Sequence, residues 1–196
     1  MTKVKKEVAK KAAAPKKKST SKPAAKLAGK AKKASPVKAA PFKAHTTGLK
    51  EGLKAPDFKG LNQDGKEFGL KDYAGKKLIL FFYPEDDTTT CTIEACNLRD
   101  NFNTLKKDGY EIVGVSADSV AKHKKYTDKY KLNFNLLADT DMKAIKAYDV
   151  WGIKQLFGKI YDGIIRTTFI IDEQGKIKHI IRAVKSSTHA DQIRNL

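Results

Sequence analysis

The sequence LILFFYPEDDTTTCTIEACNLRD, residues 78–100, decides how this chain folds. It opens with an unbroken apolar run at 78–83, which is typical of a strand that is covered on both faces. Pro84 ends this strand because proline has no N–H group for the sheet ladder. Apolar residues then recur at three- and four-residue steps from 92 to 105, which is a helical period. The segment therefore predicts a buried strand, a short loop and a helix.

The two cysteines of the chain, Cys91 and Cys96, follow this loop. Cys91 falls in or near the first helical turn, where free N–H groups and about half a positive charge favour a thiolate. Cys96 lies deeper in the helix, where that effect has faded. Five helical residues turn a side chain by about 140° and advance it by ~7.5 Å, which is too far for a disulfide. A bond between these thiols therefore requires the helix to unwind locally.

Other roles for two cysteines remain open at this point. Two buried thiols are most often small hydrophobic side chains of a core. The spacing C-T-I-E-A-C differs from the C-x-x-C of a dithiol oxidoreductase, and two cysteines in 196 residues do not form a disulfide framework. We expect reduced thiols in a cytosol-like compartment, and the position of Cys91 favours a reactive one.

The remaining elements alternate in type along the chain. A second buried strand at 110–116 completes a predicted strand–helix–strand unit with parallel strands. Ser119 is expected to cap a helix that runs to about residue 131. Further predictions are a hairpin turn at 63–65, a strand at 135–138, a helix at 141–148, strands at 167–171 and 176–181 around a turn at 172–175, and a helix at 187–195. This order predicts an α/β fold of the thioredoxin type, with a mixed central sheet flanked by helices.

The N-terminal segment differs sharply in composition from the rest. Residues 1–44 contain fifteen lysines and one acid, Glu7, so they carry +14 of the net charge of +18. Such a segment has too few large apolar side chains to offset its ordering entropy. We therefore expect a disordered tail and linker at 1–48 and a domain at 49–196, with a glycine-containing linker sequence from 45 to 53 where the two meet. The lysines favour sequence-independent binding of nucleic acid through 1–44, and a tail that only aids solubility is the alternative.

Several classes of protein are not expected. No apolar run approaches the ~20 residues of a membrane-spanning helix, and the N-terminus lacks the apolar region of a signal peptide. The four histidines are scattered along the chain, so a zinc site is not expected. Trp151 is expected in the core. We expect a cytoplasmic protein whose tail associates it with the nucleoid. In a eukaryote we expect a nuclear protein.

Residues 83–100 resemble the active-site segment of the peroxiredoxins, in the branch of the bacterioferritin comigratory proteins, also called peroxiredoxin Q. The pattern P-x-x-x-T-x-x-C is met by Pro84, Thr88 and Cys91, and the run C-T-x-E-A-C-x-x-R-D begins at Cys91. Blocks at 114–119, 148–152 and 166–172 are similar to later segments of the same branch. The resemblance extends from about residue 49 to the C-terminus and does not include the tail.

This resemblance implies a thiol peroxidase that reduces hydrogen peroxide and organic hydroperoxides without a metal, haem or flavin cofactor. Cys91 would attack the O–O bond and become a sulfenic acid. Arg166, which otherwise has the ordinary interpretation of a surface charge, would stabilise the thiolate and the developing oxyanion. Thr88, Thr90 and Pro84 would form the peroxide site, with help from backbone N–H groups.

The resemblance also implies how the enzyme recycles. Cys96 would resolve the sulfenic acid as an intramolecular disulfide, which thioredoxin would reduce by exchange. We expect a monomer. One departure concerns the loop, because the branch usually has Thr-Pro-Gly where this chain has Thr88-Thr89-Thr90. A β-branched residue is poorly suited to positive φ, so the loop either keeps ordinary dihedrals or is strained.

Two other hypotheses stay open on the sequence. The first is a nucleic-acid-binding protein with a redox-inert thioredoxin-like body, and the second is a dithiol oxidoreductase that uses Cys91 and Cys96. Peroxide consumption in the presence of thioredoxin separates the peroxidase from both.

Overall fold

A five-stranded mixed sheet lies at the centre of the computed structural model, which describes residues 42–156 and 158–196. The predicted tail therefore falls outside the described residues up to residue 41. In chain order the elements are β1 (Lys59–Leu61), β2 (Glu67–Gly69), β3 (Lys77–Phe82), α1 (Thr89–Asp100), α2 (Phe102–Lys107), β4 (Tyr110–Ser116), α3 (Val120–Tyr130), β5 (Asn135–Ala138), α4 (Lys143–Ala147), β6 (Trp151–Leu156), β7 (Lys159–Ile164), β8 (Thr167–Ile171), β9 (Ile177–Ile181) and α5 (His189–Arg194). Short 3-10 helices occupy Leu70–Tyr73 and Ser186–Thr188.

The central sheet has the strand order β5-β4-β3-β8-β9. Strand β3 is parallel to β4, which is parallel to β5. Strand β8 is antiparallel to β3, and β9 is antiparallel to β8. The predicted mixed sheet, including its parallel strand–helix–strand unit, is confirmed.

Both faces of β3 are buried, as its apolar run predicts. Residues 78, 80 and 82 pack into one hydrophobic cluster, together with residues of α4. Residues 79, 81 and 83 pack into the other, together with residues of α1, α3 and α5. Each fully buried large apolar side chain stabilises the fold by about 1.5–3 kcal/mol. The sheet is thus held between helices, and α1 is fixed on one face directly after β3.

The helix predicted at 92–105 differs from the observed one at both ends. It begins earlier, at Thr89, because Thr88 has the extended backbone of an N-cap residue. It is interrupted at Asn101, whose side-chain Nδ2 donates to Asn97 O at 2.9 Å, and α2 follows as a separate helix. Such local side-chain bonds to the backbone compete with a continuing helix. Ile93, which the pattern places on the apolar face, is 44% exposed.

The β6–β7 hairpin is not among the sequence predictions. Its two strands pair with each other and, within residues 42–156 and 158–196, join no other sheet. Much of the ribbon is exposed, so its sequence shows neither a continuous apolar run nor a clean alternation of apolar and polar residues. The expectation that Trp151 lies in the core is wrong, because this side chain begins β6 and is 39% exposed.

The start of the predicted linker is fastened to the domain. Thr47 is buried and donates through Oγ1 to Tyr148 O at 2.8 Å. Gly48 N donates to Asp149 Oδ2 at 2.7 Å, and His45 Nε2 lies 3.0 Å from the other oxygen of the same carboxylate. These contacts place the chain from residue 45 onward against the end of α4. No helix in the described part of the chain is long and apolar enough to cross a membrane.

Candidate active site

Cys91 is the third residue of α1 and lies at a cleft of about 1030 Å³. The cleft forms where β3 ends and the chain turns into α1, at the carboxyl end of the parallel strands, where α/β sheets commonly bind ligands. Cys91 is only 2% exposed, and its thiol is free. In the part of the chain that the structure describes, no side chain caps the N-terminus of α1. The first N–H groups of α1 therefore have no partner within the helix, and the residues at 88–91 line the cleft.

The loop before Cys91 is anchored by the buried carboxylate of Asp86. Asp86 is 3% exposed and accepts a hydrogen bond from Tyr83 OH at 2.7 Å. Its other oxygen lies 2.8 Å from Nδ1 of His123, which is fully buried on α3. Because a carbonyl can only accept, Nε2 of this histidine carries a proton and donates to Leu137 O at 3.1 Å. Asp86 N also donates to Asp118 Oδ2 at 2.7 Å, so both the side chain and the backbone of this residue are fixed.

The acidic residues on either side of Asp86 also pair with α3. Glu85 accepts from Lys122 Nζ at 2.6 Å. Asp87 accepts from Lys129 Nζ at 2.7 Å and from a tyrosine hydroxyl of the same helix. Three consecutive acidic side chains of the loop, residues 85–87, thus bind one helix. We call this arrangement the loop clamp.

The threonines at 89 and 90, which stand where the branch usually has Pro-Gly, cause no strain at those positions. Thr89 and Thr90 are the first two residues of α1 and have helical backbones. Positive φ falls one residue before Thr88, on Asp87, with a value of 62°. Aspartate tolerates this left-handed conformation better than a β-branched residue does. Of the two alternatives that the sequence left open, Thr89 and Thr90 have the ordinary dihedrals.

Arg166 is not an ordinary surface charge. It lies between β7 and β8, and its side chain is 17% exposed. Its Nη2 donates to Cys91 Sγ at 3.1 Å, and its Nη1 pairs with the carboxylate of Glu94. A guanidinium in this position stabilises a thiolate and any negative charge that develops beside it.

Glu94 is the member of the site that residue-level reasoning missed. It is fully buried on the inner face of α1, and one of its oxygens, Oε1, has no hydrogen-bond partner among the described residues. Burial raises the pKa of this carboxyl to about 7, although the charge of Arg166 opposes the shift. The signal was present in the run C-T-x-E-A-C, since a glutamate on the buried face of a helix requires a partner.

His189, from the C-terminal helix α5, extends this network. Its Nε2 lies 3.7 Å from Glu94 Oε1 and accepts from Thr168 Oγ1 at 2.9 Å. Its Nδ1 donates to Gln192 Oε1 at 3.3 Å, which leaves Nε2 as the acceptor when the ring is neutral. Burial lowers the pKa of His189 to about 4, and Arg166 contributes to the decrease. A chain of buried polar groups thus runs from the cleft to the C-terminal helix.

The cleft brings together five of the six residues that the sequence analysis selected. They are Pro84, Thr88, Thr90, Cys91 and Arg166. The cleft is also lined by Trp151, Lys154 and Tyr161 of the β6–β7 hairpin and by Phe42 and Arg182. The hairpin residues were missed because nothing in their local pattern places them near Cys91.

Cys96, the sixth selected residue, does not line the cleft. It is half-buried, its thiol is free, and it shares the continuous helix α1 with Cys91. The next residue, Asn97, connects this part of α1 to the C-terminal segment. Its Nδ2 donates to Ser187 O at 2.9 Å, and its Oδ1 accepts from Ala190 N at 2.8 Å. Within residues 42–156 and 158–196, no group of three His, Cys, Asp or Glu side chains could hold a metal ion.

A free thiol beside an arginine, at the start of a helix that follows a parallel strand of a thioredoxin-like sheet, defines a thiol-dependent redox enzyme. Comparison with known proteins makes the class specific. A profile of the AhpC/TSA family matches residues 52–180. The peroxiredoxin Bcp of Escherichia coli (strain K12) is 43% identical over 147 residues, which cover 75% of this chain and 94% of the relative.

Solved structures show the same relationship. A mutant of peroxiredoxin Q from Xanthomonas campestris superposes with a TM-score of 0.67 at 32% identity, over 73% of this chain and 94% of that chain. The bacterioferritin comigratory protein of the same organism also gives a TM-score of 0.67 at 32% identity, over 74% and 94% of the two chains. This chain therefore belongs to the AhpC/TSA family and is a peroxiredoxin, a thiol peroxidase, of the Bcp or peroxiredoxin Q branch. The resemblance noted in the sequence is confirmed.

Proposed function

We propose that Cys91 is the residue that reduces the peroxide. Its thiolate attacks the terminal oxygen of the peroxide, so that an S–O bond forms while the O–O bond breaks. The products are a sulfenic acid on Cys91 and a departing hydroxide or alkoxide, which takes up a proton. The observation that carries this proposal is the 3.1 Å contact between Arg166 Nη2 and Cys91 Sγ at the N-terminus of α1. Both features favour the thiolate and the oxyanion that follows it.

The peroxide is held by the groups around the start of α1. Thr88 Oγ1 donates its only proton to Glu85 O at 3.1 Å, so its lone pairs are free to accept from a peroxide O–H. The N–H groups of Thr90 and Cys91 donate to the peroxide oxygens. Pro84 forms the wall behind them. The site then orients the O–O bond along the direction of attack.

The shape of the cleft supports organic hydroperoxides as substrates besides hydrogen peroxide. Its walls include the apolar side chains of Phe42, Pro84, Trp151 and Tyr161, which can pack against an alkyl group. The Xanthomonas campestris bacterioferritin comigratory protein has alkyl peroxide reduction activity. Family membership favours this peroxidase over the two alternatives, a dithiol oxidoreductase and a redox-inert body.

Cys96 resolves the sulfenic acid in this proposal. Its thiolate attacks the sulfur of Cys91, the S–O bond breaks, and water leaves as an intramolecular disulfide forms. Because α1 holds both residues on one continuous helix, the first turns of α1 must unwind for this step. Thioredoxin then reduces the disulfide by exchange. The enzyme works without a metal, haem or flavin, and it acts as a monomer.

Two variants test this assignment in one assay, which couples peroxide reduction to NADPH oxidation through thioredoxin and thioredoxin reductase. Cys91→Ser should abolish turnover, because no other side chain in the cleft is a comparable nucleophile. Cys96→Ser should react once with peroxide, and mass spectrometry should then show sulfenic and sulfinic acid on Cys91. Near wild-type turnover of Cys91→Ser would refute the assignment. A wild-type protein that never forms the intramolecular disulfide would refute the role of Cys96.

The N-terminal segment supports a second, separate activity. Residues 1–44 carry +14, whereas residues 45–196 contain 25 basic and 21 acidic side chains. We propose that this concentrated charge binds nucleic acid without sequence preference and keeps the peroxidase near the nucleoid. The lysines of such a segment contact phosphates and read no bases.

A further inference from the structure

A second cation, Lys154, lines the cleft together with Arg166 and Cys91. It lies on β6, opposite Tyr161 of β7. Its Nζ donates to Ile164 O at 3.0 Å and lies 5.2 Å from the centre of the Tyr161 ring. In the described part of the chain this ammonium contacts a carbonyl and an aromatic face and forms no pair with a carboxylate. It therefore keeps two N–H groups that can act in the cleft.

The hairpin is shaped to hold this side chain close to the site. A Cβ atom at Gly163 would lie 2.7 Å from Lys154 Cε and 3.1 Å from its Nζ. Any larger residue at this position would therefore push the end of the lysine away. The absence of a side chain at Gly163 allows Lys154 to lie flat across β7, with its ammonium beside the carbonyl of Ile164.

The surroundings of Lys154 also make it a stronger acid than a free lysine. Burial lowers the pKa of its ammonium, and the charge of Arg166 lowers it further, while Cys91 acts in the opposite direction. Two other charged groups line the cleft. One is Arg182, which is exposed, and the other is Glu85, whose carboxylate is paired with a lysine of α3.

The first step of the reaction requires a group that can give a proton to the departing oxygen. When the O–O bond breaks, its electron pair goes to the departing oxygen, which becomes a strongly basic hydroxide or alkoxide. Cys91 has no proton to give, because it reacts as a thiolate. Arg166 can stabilise the charge but does not release its proton in a protein. A general acid that supplies this proton contributes typically about 10²–10⁴-fold in rate.

We propose that Lys154 is this general acid. This inference rests on the proposed role of Cys91. As the O–O bond breaks, a proton passes from Lys154 Nζ to the departing oxygen, which leaves as water or an alcohol. The neutral amine then regains a proton from solvent before the next turnover. Cys91 retains the transferred oxygen as its sulfenic acid, so atoms and electrons balance.

The test compares oxidants whose leaving groups differ in basicity. Hydrogen peroxide and tert-butyl hydroperoxide release strongly basic oxygens, whereas peracetic acid releases acetate, which needs no proton. Lys154→Met removes the acid and keeps an unbranched stem, and Lys154→Arg keeps the charge without a transferable proton. Gly163→Ala displaces the ammonium and keeps the lysine. Oxidation of Cys91 is followed by stopped-flow fluorescence of Trp151, the only tryptophan of the chain, which lines the same cleft.

We expect Lys154→Met and Lys154→Arg to slow the reactions with hydrogen peroxide and tert-butyl hydroperoxide by about 10²-fold. The reaction with peracetic acid should slow by less than about tenfold, since general acid help is not needed there. Gly163→Ala should show the same selectivity, and Lys159→Met, on the exposed end of the hairpin, should behave as wild type. Equal slowing with all three oxidants, or no slowing, would overturn the role of Lys154. If wild-type Cys91 reacts with none of them, the proposed function itself fails.

Discussion

The guanidinium of Arg166 lies 3.1 Å from the sulfur of Cys91, although 75 residues separate the two in sequence. The same guanidinium pairs with the buried carboxylate of Glu94. The planar guanidinium of Arg166 thus connects the thiol of Cys91 to the carboxylate of Glu94, and both of these residues belong to α1. Since Glu94 holds Nη1 of the guanidinium in place, Nη2 has little freedom to move away from the sulfur.

Arg166→Lys should slow the oxidation of Cys91 although it keeps the positive charge. An ammonium cannot bond to Glu94 and to the sulfur in the same fixed geometry. Loss of a positioned donor of this kind costs about 10²–10³-fold in rate. Stopped-flow measurement of sulfenic acid formation provides the check, with Arg194→Lys as the control because Arg194 is an exposed residue of α5 that pairs with Asp108. An unchanged rate in Arg166→Lys would show that charge alone is sufficient.

The buried pair formed by Glu94 and His189 should respond to pH in opposite senses. Burial raises the pKa of Glu94 from 4.5 to about 7, so the folded protein holds this proton more tightly. The stability that this group contributes is therefore lost as pH rises from 4.5 to 7. Burial lowers the pKa of His189 from 6.5 to about 4, so its contribution is lost as pH falls through that range. Each shift corresponds to about 3 kcal/mol.

Urea unfolding of wild type, Glu94→Gln and His189→Asn separates these two contributions. The free energy of unfolding of wild type relative to Glu94→Gln should fall by about 3 kcal/mol as pH rises from 4.5 to 7. Relative to His189→Asn, it should rise by a similar amount between pH 4 and 6.5. The combined contribution of Glu94 and His189 to the free energy of unfolding of wild type should change little with pH, since the two effects oppose each other. Differences that do not vary with pH would contradict both shifts.

His123→Asn should destabilise the fold and slow the reaction of Cys91. The substitution leaves Asp86 buried with one oxygen unpaired, and breaking a buried pair costs about 3–5 kcal/mol. Because the loop clamp then loses its central anchor, Cys91 should also be oxidised more slowly. Lys124→Asn is the matched control on α3, since Lys124 forms exposed pairs that are worth about 0–1 kcal/mol. Equal losses of unfolding free energy in the two variants would mean that the buried pair has no special role.

The fold could be predicted from the sequence wherever burial leaves a local pattern. The run at 78–83 predicts β3 because both faces of that strand are covered, and Ser119 predicts the start of α3 because its Oγ accepts from Lys122 N. The β6–β7 hairpin could not be predicted in the same way, because an exposed ribbon imposes no apolar period on its sequence.

The candidate site could be predicted only in part, for a related reason. The position of Cys91 at a helix start follows from its own segment, and the resemblance supplies Arg166. The contacts of Glu94 with Arg166 and His189 join α1 to segments 72 residues or more away in the chain, and no local pattern encodes them. The positive φ of Asp87 was not predicted either, because the sequence departs from the branch at Thr89 and Thr90 and not at residue 87.

Asn97→Ala should accelerate formation of the disulfide between Cys91 and Cys96. Asn97 binds the C-terminal segment to α1 through Ser187 O and Ala190 N. Without these bonds, the part of α1 around Cys96 should unwind at a lower free-energy cost. After one equivalent of peroxide, the variant should form its disulfide faster and accumulate less sulfinic acid, as mass spectrometry can show. Asn103→Ala, at an exposed position of α2, is the control. The same disulfide rate in both variants would exclude this restraint.

Removal of residues 1–41 should abolish binding to DNA and leave peroxidase turnover nearly unchanged. The deletion stops before Phe42 and Ala44 because both line the cleft, and the contacts from residue 45 onward then hold the new N-terminus in place.

The full-length protein should bind duplexes of different sequence alike, since lysines that contact phosphates carry no base information. Each phosphate neutralised contributes about −0.9 to the slope of log K against log salt, so a segment that engages several should show a steep slope. Fluorescence anisotropy over a salt series measures both properties. Residues 45–196 carry 25 basic and 21 acidic side chains, so they have little net charge to attract DNA. If the full-length and truncated proteins nevertheless bind equally at low salt, the N-terminal lysines serve solubility alone.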